Sequence, residues 1–297
     1  MIEYNRYSWW RTVFSFRGTA LPRALARVAI FTLYSATIQL LLNVGEYIGW
    51  FDEQSALTLD PIAHAVIGSL LGFLIVFRMN GSNNRYWEGR SHWGSLINCS
   101  RNLVRVATVH TKNGAEIAGL VTGYVIALKQ SLRGSRDLEE AAMYLPNDVV
   151  ETALRFGNPP TAIAAAISEW ILREYRSGTI DGVMVTHMEE LLSNMVNAQG
   201  GCEKIQKTPL PFVYAAMIKQ LILAYLLTLP LVIATRCGWW SPLLMAVVSL
   251  GLFGMEEASV ETEDPFGKDE NCLDMQTFIL TIARDSGQLA AQLKRVE

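Results

Sequence analysis

The sequence predicts an all-α integral membrane protein, and three observations lead to that fold class. Charged residues make up only 18% of the 297-residue chain and hydrophobic residues 51%, whereas a soluble domain carries about 25% charged residues. Apolar runs long enough to approach a membrane span occur in two pairs. The stretch between the pairs repeats apolar residues at helical spacing, and no β-branched alternation competes with it. We therefore expect a four-span helical bundle with a large helical cytoplasmic region.

The N-terminal segment, residues 1–27, mixes arginines with aromatic residues, as at Trp9, Trp10 and Arg11. Such a mixture is typical of the cytoplasmic interface of a membrane. We predict a cytoplasmic or interfacial segment here. The alternative is a terminus that docks on the protein's own soluble part.

Residues 28–94 are predicted to contain the first two transmembrane helices. The first apolar run begins at Val28 and is long enough to span when extended to Tyr47. The loop at 45–60 has no Lys or Arg, whereas Arg27 and Arg78 flank the opposite ends of the two spans. The positive-inside bias then places the N-terminus and the Arg78 end in the cytoplasm.

Residues 95–207 are predicted to form the cytoplasmic helical region. Its apolar faces are more extensive than one isolated layer could cover, so we expect it to pack on itself and on neighbouring copies. Glycines and prolines separate the predicted helices: Gly134, Gly157, Pro159-Pro160, Gly178 and Gly200-Gly201.

Residues 208–258 are predicted to hold the third and fourth transmembrane helices, with Trp239-Trp240 at the opposite interface between them. Lys219 lies inside the third span, and snorkelling to the cytoplasmic interface is its favoured interpretation. Residues 259–297 are predicted to form a cytoplasmic acidic turn and one helix from about Leu273. Both termini are then cytoplasmic, in a multi-pass protein of the cell membrane.

One face of the second span carries Ser69, Phe73 and Phe77, which are four residues apart. Continued, this face reaches Asn80 or Gly81 and then Asn84. An apolar ring followed by a polar lining is what a pore constriction needs, provided that several copies meet around an axis. The alternative is a helix whose two Phe side chains pack against its neighbours, and periodicity alone favours it.

Catalytic and nucleic-acid-binding functions find no support in the sequence. The histidines are scattered, no nucleotide-binding or hydrolase motif occurs, and a net charge of -3 gives no reason to expect nucleic acid as a partner. We predict that the protein is not an enzyme and has no cofactor. The cysteines form neither a disulfide framework nor a zinc pattern: Cys99, Cys202, Cys237 and Cys272.

The acidic segment that starts at Glu256 and Glu257 has two interpretations. Its carboxylates and turn carbonyls could bind a hard cation, with Asp264 and Asp269 as weak candidates for a metal site. The favoured interpretation is a solvated helix end whose carboxylates pair with Arg or Lys. We therefore predict no metal site.

Three islands of sequence resemble the bestrophins, particularly the prokaryotic members, in an order and separation that fit the family over nearly the whole chain. The first runs from Gly72-Phe73 through Phe77-Arg78-Met79-Asn80 to Arg85-Tyr86-Trp87-Glu88-Gly89-Arg90 and Trp93-Gly94. The second is Gly201-Cys202-Glu203-Lys204-Ile205 with Thr208-Pro209-Leu210-Pro211 and Tyr214, and the third is Glu261-Thr262-Glu263-Asp264-Pro265-Phe266-Gly267.

The resemblance implies a homopentameric channel for monovalent ions with one axial pore in a lipid membrane. Phe73 and Phe77 would line a hydrophobic neck, with Ser69 as its outermost ring in place of the usual bulky aliphatic residue. A second constriction, the cytoplasmic aperture, would fall between Ile180 and Met184 and include Val183. Residues 28–94 would then contain the neck.

The resemblance also bears on metal binding and on the permeant ion. Animal members bind calcium with an acidic cluster after the Pro-Phe-Gly turn, which Lys268 and two neutral residues interrupt here. The family implies chloride as the permeant ion, and a prokaryotic member can resemble a cation channel that passes an ion such as sodium. A different class of function, a membrane scaffold or regulatory protein with a partner-binding helical region, is the alternative hypothesis.

Overall fold

A computed structural model describes residues 5, 7–49 and 59–293, and every regular element in these residues is a helix. This confirms the predicted all-α class. The helices are α1 (Trp9–Val13), α2 (Leu21–Ile48), α3 (Pro61–His110), α4 (Gly114–Leu132), α5 (Glu139–Ala142), α6 (Asn147–Arg155), α7 (Pro159–Arg176), α8 (Gly182–Lys207), α9 (Phe212–Cys237), a 3-10 turn (Gly238–Trp240), α10 (Ser241–Glu263) and α11 (Met275–Leu293).

The chain divides into two compact units. The first unit combines the chain up to Arg85 with Pro209–Glu263, and the second combines Tyr86–Thr208 with the chain from Asp264 onward. The helix α3 contributes its first half to the first unit and its second half to the second.

The first unit packs α2, α9 and α10 against one another and includes the first half of α3. At the centre of its core, four aliphatic side chains and one methionine are almost fully buried: Leu71, Ile75, Ile222, Leu226 and Met245. Many leucines and valines on the outer faces of these helices are exposed. Apolar residues on the outside as well as the inside are typical of helices in a bilayer.

In the part of the chain that the structure describes, three helical stretches are long and apolar enough to cross a membrane: Leu21–Ile48, Pro61–His110 and Gly182–Glu263. The third stretch includes both α9 and α10. By length and composition, these helices support a membrane protein.

The helix that begins at Pro61 does not end where its apolar part ends. It continues without a break for 50 residues, past Arg78 and to His110. Glycines in this helix meet bulky side chains: a Cβ at Gly89 would lie 3.0 Å from the Phe266 ring. Close approach of a neighbouring group therefore explains this glycine, and a helix interruption does not occur there.

The second unit is built around α4, which is almost entirely buried. The helices α5, α7, α8 and α11 pack on it, and α6 packs on α7. Tyr124 and Leu128 of α4 share the core with Trp170 of α7 and Met195 of α8. A helix that is apolar on all sides is expected at the centre of such a bundle.

Of the five predicted helix boundaries, four are right, including Pro159-Pro160 at the start of α7, and one is wrong. Gly134 and Gly178 follow helix ends with φ of +71° and +77°, a conformation that favours glycine. Gly157 lies between α6 and α7. Gly200-Gly201, however, lies inside α8, where Gly201 packs against the His92 ring and a Cβ would overlap the imidazole.

Pro230 lies inside α9 and removes one backbone donor from the helix. Near this position, the Tyr34 hydroxyl of α2 donates a hydrogen bond to the Leu227 carbonyl at 3.0 Å. A side chain of a neighbouring helix therefore binds a main-chain acceptor beside the proline, as expected where no water is available to do so.

Candidate functional site

The face of α3 that carries Ser69, Phe73 and Phe77 points away from the chain's own core. Phe73 is 60% exposed and Phe77 58% exposed, and Ser69 is also exposed. At about 100° per residue, the buried Leu71 and Ile75 lie on nearly the opposite side of the helix. We call the outward face of Ser69, Phe73, Phe77, Asn80 and Asn84 the exposed stripe.

The exposed stripe changes character along its length. The Phe73 and Phe77 rings contact each other edge to face, with centroids 4.5 Å apart and planes at 84°. Asn80 and Asn84, on the same face, are exposed. The Ser69 hydroxyl donates to the Ala65 carbonyl at 2.9 Å, so it is bound to its own helix. The stripe thus runs from a small hydroxyl through two aromatic rings to two amides.

Arg78 follows Phe77 directly but turns into the first unit. Its side chain is 5% exposed, and Nη1 donates to Glu256 Oε1 at 2.8 Å. The Glu256 side chain is 2% exposed, and Oε2 of Glu263 lies 3.7 Å from Arg78 Nη2. Charges so deeply buried are tolerated only when paired, so the two helices α3 and α10 are tied together here.

This contact continues along both helices. One turn after Arg78, the Ser82 and Ser259 hydroxyls are 3.0 Å apart in the buried interior. Arg85 Nε then donates to the Glu263 carbonyl at 3.1 Å. Residues at i, i+4 and i+7 of α3 therefore meet residues at i, i+3 and i+7 of α10. We call this set the polar seam: Arg78, Ser82 and Arg85 with Glu256, Ser259 and Glu263.

Glu256 is shared by cations from several helices. Besides Arg78, the Arg27 and Lys219 side chains lie 3.6 and 3.5 Å from its oxygens. Arg27 also pairs with Glu257. The carboxylates of Glu256 and Glu257 do pair with Arg and Lys, as predicted, but the expectation of a solvated helix end is wrong, because both side chains are buried.

These partners could not be identified from the sequence. Arg78 and Glu256 are 178 positions apart. The available signal was general: an ionisable residue at the edge of an apolar helix needs a partner. This signal pointed to Arg78 and to the acidic segment separately, and it did not show that they pair.

The residues proposed for the cytoplasmic aperture differ in their exposure. Ile180 is 6% exposed and packs in the core of the second unit, whereas Val183, in the first turn of α8, is 79% exposed. Met184 is partly buried against the same core, and its backbone N–H donates to the Asp181 carboxylate at 2.8 Å. Of the three, Val183 is the side chain that faces outward.

The acidic turn after α10 is closed by protein groups. The Cys272 thiol donates to the Asp264 carbonyl at 3.4 Å, and the Cys272 N–H donates to the Asp269 carbonyl at 3.1 Å. Burial raises the pKa of the Cys272 thiol, so it keeps its proton. Within residues 5, 7–49 and 59–293, no three His, Cys, Asp or Glu side chains form a group that could hold a metal ion.

Comparisons with known proteins point to one family. The sequence profile of the bacterial/fungal bestrophin proteins matches residues 1–288. The voltage-dependent anion channel-forming protein alr2987 of Nostoc sp. is 31% identical over 297 residues, covering 95% of this chain and 92% of the relative. A protein with the corresponding name from Synechocystis sp., sll1024, is 32% identical over 283 residues, covering 92% of this chain and 89% of the relative.

The fold is also found among solved structures. A crystal structure of a bacterial bestrophin homologue from Klebsiella pneumoniae matches with a TM-score of 0.85 at 22% identity, over 93% of this chain and all of the homologue's chain. This likeness concerns the fold. Together with the profile match over nearly the full length, it leads to one conclusion: this chain belongs to the bacterial and fungal bestrophin family.

Proposed function

We propose that this protein is a passive anion channel, assembled as a homopentamer in the cell membrane around one axial pore. In this proposal α2, the first part of α3, α9 and α10 are the four transmembrane helices, and both termini are cytoplasmic. Phe73 and Phe77 form the hydrophobic neck, with Ser69 as the outermost ring.

The exposed stripe is the observation that carries the proposal. Phe73 and Phe77 are more than half exposed on the side of α3 opposite its buried residues. Five copies of α3 meeting on this side would surround an axis with aromatic rings, followed by the amides of Asn80 and Asn84. A narrow apolar ring raises a barrier to hydrated ions by dewetting, and the amides beyond it offer hydrogen bonds.

The anion is inferred from relatives. The two cyanobacterial relatives carry the name of voltage-dependent anion channel-forming proteins, and nearly the whole length of each is matched. Chloride is the main anion of an ordinary salt solution, and the proposal is tested with this ion.

The neck is tested by removing an aromatic ring. Phe77→Ala in the purified full-length protein, recorded in planar lipid bilayers, is expected to raise the single-channel conductance or the leak, because it widens the ring and shortens the dry segment. Ile67→Ala is the matched control: Ile67 is 49% exposed on the same helix, but it lies well away from the stripe.

Two results would contradict the proposal. Equal currents from Phe77→Ala and Ile67→Ala would remove Phe77 from the neck. A purified protein whose mass in detergent is that of a monomer or dimer, and which gives no current, would favour the membrane-scaffold alternative.

The second constriction is proposed at Val183. Its exposure in the first turn of α8 makes it available to a neighbouring copy or to a water-filled path, whereas Ile180 is packed in the core. The proposed aperture keeps Ile180, Val183 and Met184, and Val183 is the most exposed of the three.

A further inference from the structure

We propose that the polar seam positions the neck helix, so that the Arg78–Glu256 pair determines how firmly the Phe77 ring is held in the neck. This inference rests on the proposed function, because it assigns the seam a role in setting the width of the same neck. Arg78 and Glu256 act through Phe77 and are positioning residues.

The first step is the geometry of α3. Phe77 and Arg78 are neighbours in sequence, about 100° apart around the helix. The position of the Arg78 side chain therefore fixes the direction of the Phe77 side chain. Arg78 is held at 5% exposure by Glu256 at 2.8 Å and Glu263 at 3.7 Å. A rotation of α3 that moved Phe77 would have to break these contacts.

The second step is the length of the seam. Three positions of α3, each about one helical turn from the next, bind α10. They are Arg78, Ser82 at 3.0 Å from Ser259, and Arg85 at 3.1 Å from the Glu263 carbonyl. One contact would allow α3 to turn about it. Contacts spread over two helical turns resist both rotation and sliding.

The third step is the low tolerance of the site for change. Arg78 Nε is buried and finds no acceptor among the residues that the structure describes. The guanidinium therefore depends on the carboxylates at its Nη atoms. Glu256 in turn holds Arg27 and Lys219 within 3.6 Å, so α2 and α9 share the same carboxylate. Loss of this one charge therefore loosens α2, α3, α9 and α10 at one level of the first unit.

The test is a double-mutant cycle on current in planar bilayers, with Glu256→Gln, Phe77→Ala and the combination. Glu256→Gln keeps the shape of the side chain and removes its charge. We expect Glu256→Gln alone to raise the mean current about fivefold. Weakening one such contact changes the ratio of loosened to firmly held necks by about that factor. In the Phe77→Ala background the same substitution is expected to change the current by less than about twofold, because the ring through which it acts is gone.

A purely structural role predicts a different pattern, because lost stability would lower the yield of channels by the same factor in both backgrounds. The matched control is Glu261→Gln, which breaks the 2.8 Å pair with Arg23 in the same acidic segment but outside the seam. It is expected to leave the current at the wild-type level. Ser259→Ala, which removes only a neutral contact of the seam, is recorded in parallel in case Glu256→Gln does not assemble, and a smaller increase in the same direction is expected.

The outcomes separate this inference from the proposed function. A current that Phe77→Ala raises but that neither Glu256→Gln nor Ser259→Ala changes refutes the positioning role alone. An equal effect of Glu256→Gln with and without the Phe77 ring refutes it too. A wild-type current that Phe77→Ala leaves unchanged refutes the neck and the positioning role together.

Discussion

Individual glycines in this chain have opposite structural roles although they are adjacent in sequence. Gly200 and Gly201 both lie inside α8. Gly201 faces the His92 ring without room for a Cβ, whereas a Cβ at Gly200 would meet nothing within 4 Å. Substitutions at the two positions therefore distinguish the effect of close packing from the general destabilisation that glycine causes in a helix.

Gly201→Ala is expected to destabilise the protein by about 1–3 kcal/mol, since the added methyl group overlaps the imidazole and forces a shift in a packed region. Gly200→Ala is expected to stabilise it by about 0.5–1 kcal/mol, because alanine is the better helix former. Thermal unfolding followed by circular dichroism in the same detergent compares the two variants. Equal shifts in the midpoint would contradict the packing role of Gly201.

Sequence reasoning could not distinguish these two glycines. A glycine pair between polar residues is typical of a helix end, and Gly134 and Gly178 do follow helix ends with positive φ. The space that Gly201 leaves inside α8 is filled by the His92 ring, 109 positions earlier in the chain. Only the tertiary contact contains that information.

Elements were predictable from sequence where local periodicity determines them. The helical class, the apolar runs and the C-terminal helix follow from spacing, and α11 begins at Met275, close to the expected Leu273. The stripe of Ser69, Phe73 and Phe77 was visible as a face of one helix. Its exposure, and the pairing of the opposite face with α10 through Arg78, depend on residues far away in the chain.

The start of α11 provides a test at the scale of one helix. Asp274 precedes the helix and accepts bonds from the Thr277 hydroxyl at 2.7 Å and the Thr277 N–H at 3.1 Å. The Thr277 side chain and then its N–H lower the pKa of Asp274. A carboxyl whose folded-state pKa is lowered stabilises the fold above its unfolded-state pKa, and this contribution is lost as the pH falls through the folded-state value.

Asp274→Ala is therefore expected to cost about 1 kcal/mol at neutral pH. The difference from wild type should begin to narrow near the unfolded-state pKa of about 4, and it should be lost as the pH falls through the lower folded-state pKa of Asp274. Asp274→Ser is the control, because a hydroxyl retains the cap without a charge. Thermal midpoints at neutral and acid pH check this, and a pH-independent difference for Asp274→Ala would contradict the role of the charge.

At the scale of the whole molecule, family membership and apolar helices support a membrane channel. The reversal potential identifies the ion that it passes. The Phe73 and Phe77 rings meet edge to face. In such a pair a positive ring edge covers part of a negative ring face. Ring edges turned to the axis would favour an anion and ring faces a cation, and the anion of the proposal rests on the names of the relatives.

We therefore expect the reversal potential under a potassium chloride gradient to lie close to the equilibrium potential of chloride. Replacing potassium by a large organic cation should leave it unchanged, and replacing chloride by a large organic anion should move it. The measurement uses the purified channel in planar bilayers. A reversal potential near that of potassium would make the protein a cation channel with the same fold.

The hydrogen bond from Tyr34 to the Leu227 carbonyl bears on how the chain is made. Pro230 has no N–H, so the carbonyl four residues before it, that of Leu226, loses its helical donor, and the carbonyl that Tyr34 binds is the next one along the helix, Leu227. Because synthesis proceeds from the N-terminus, α2 is complete long before the ribosome reaches α9. The Tyr34 phenol is therefore synthesised before the turn of α9 that contains Pro230, and α9 can bind α2 at this turn as soon as it forms.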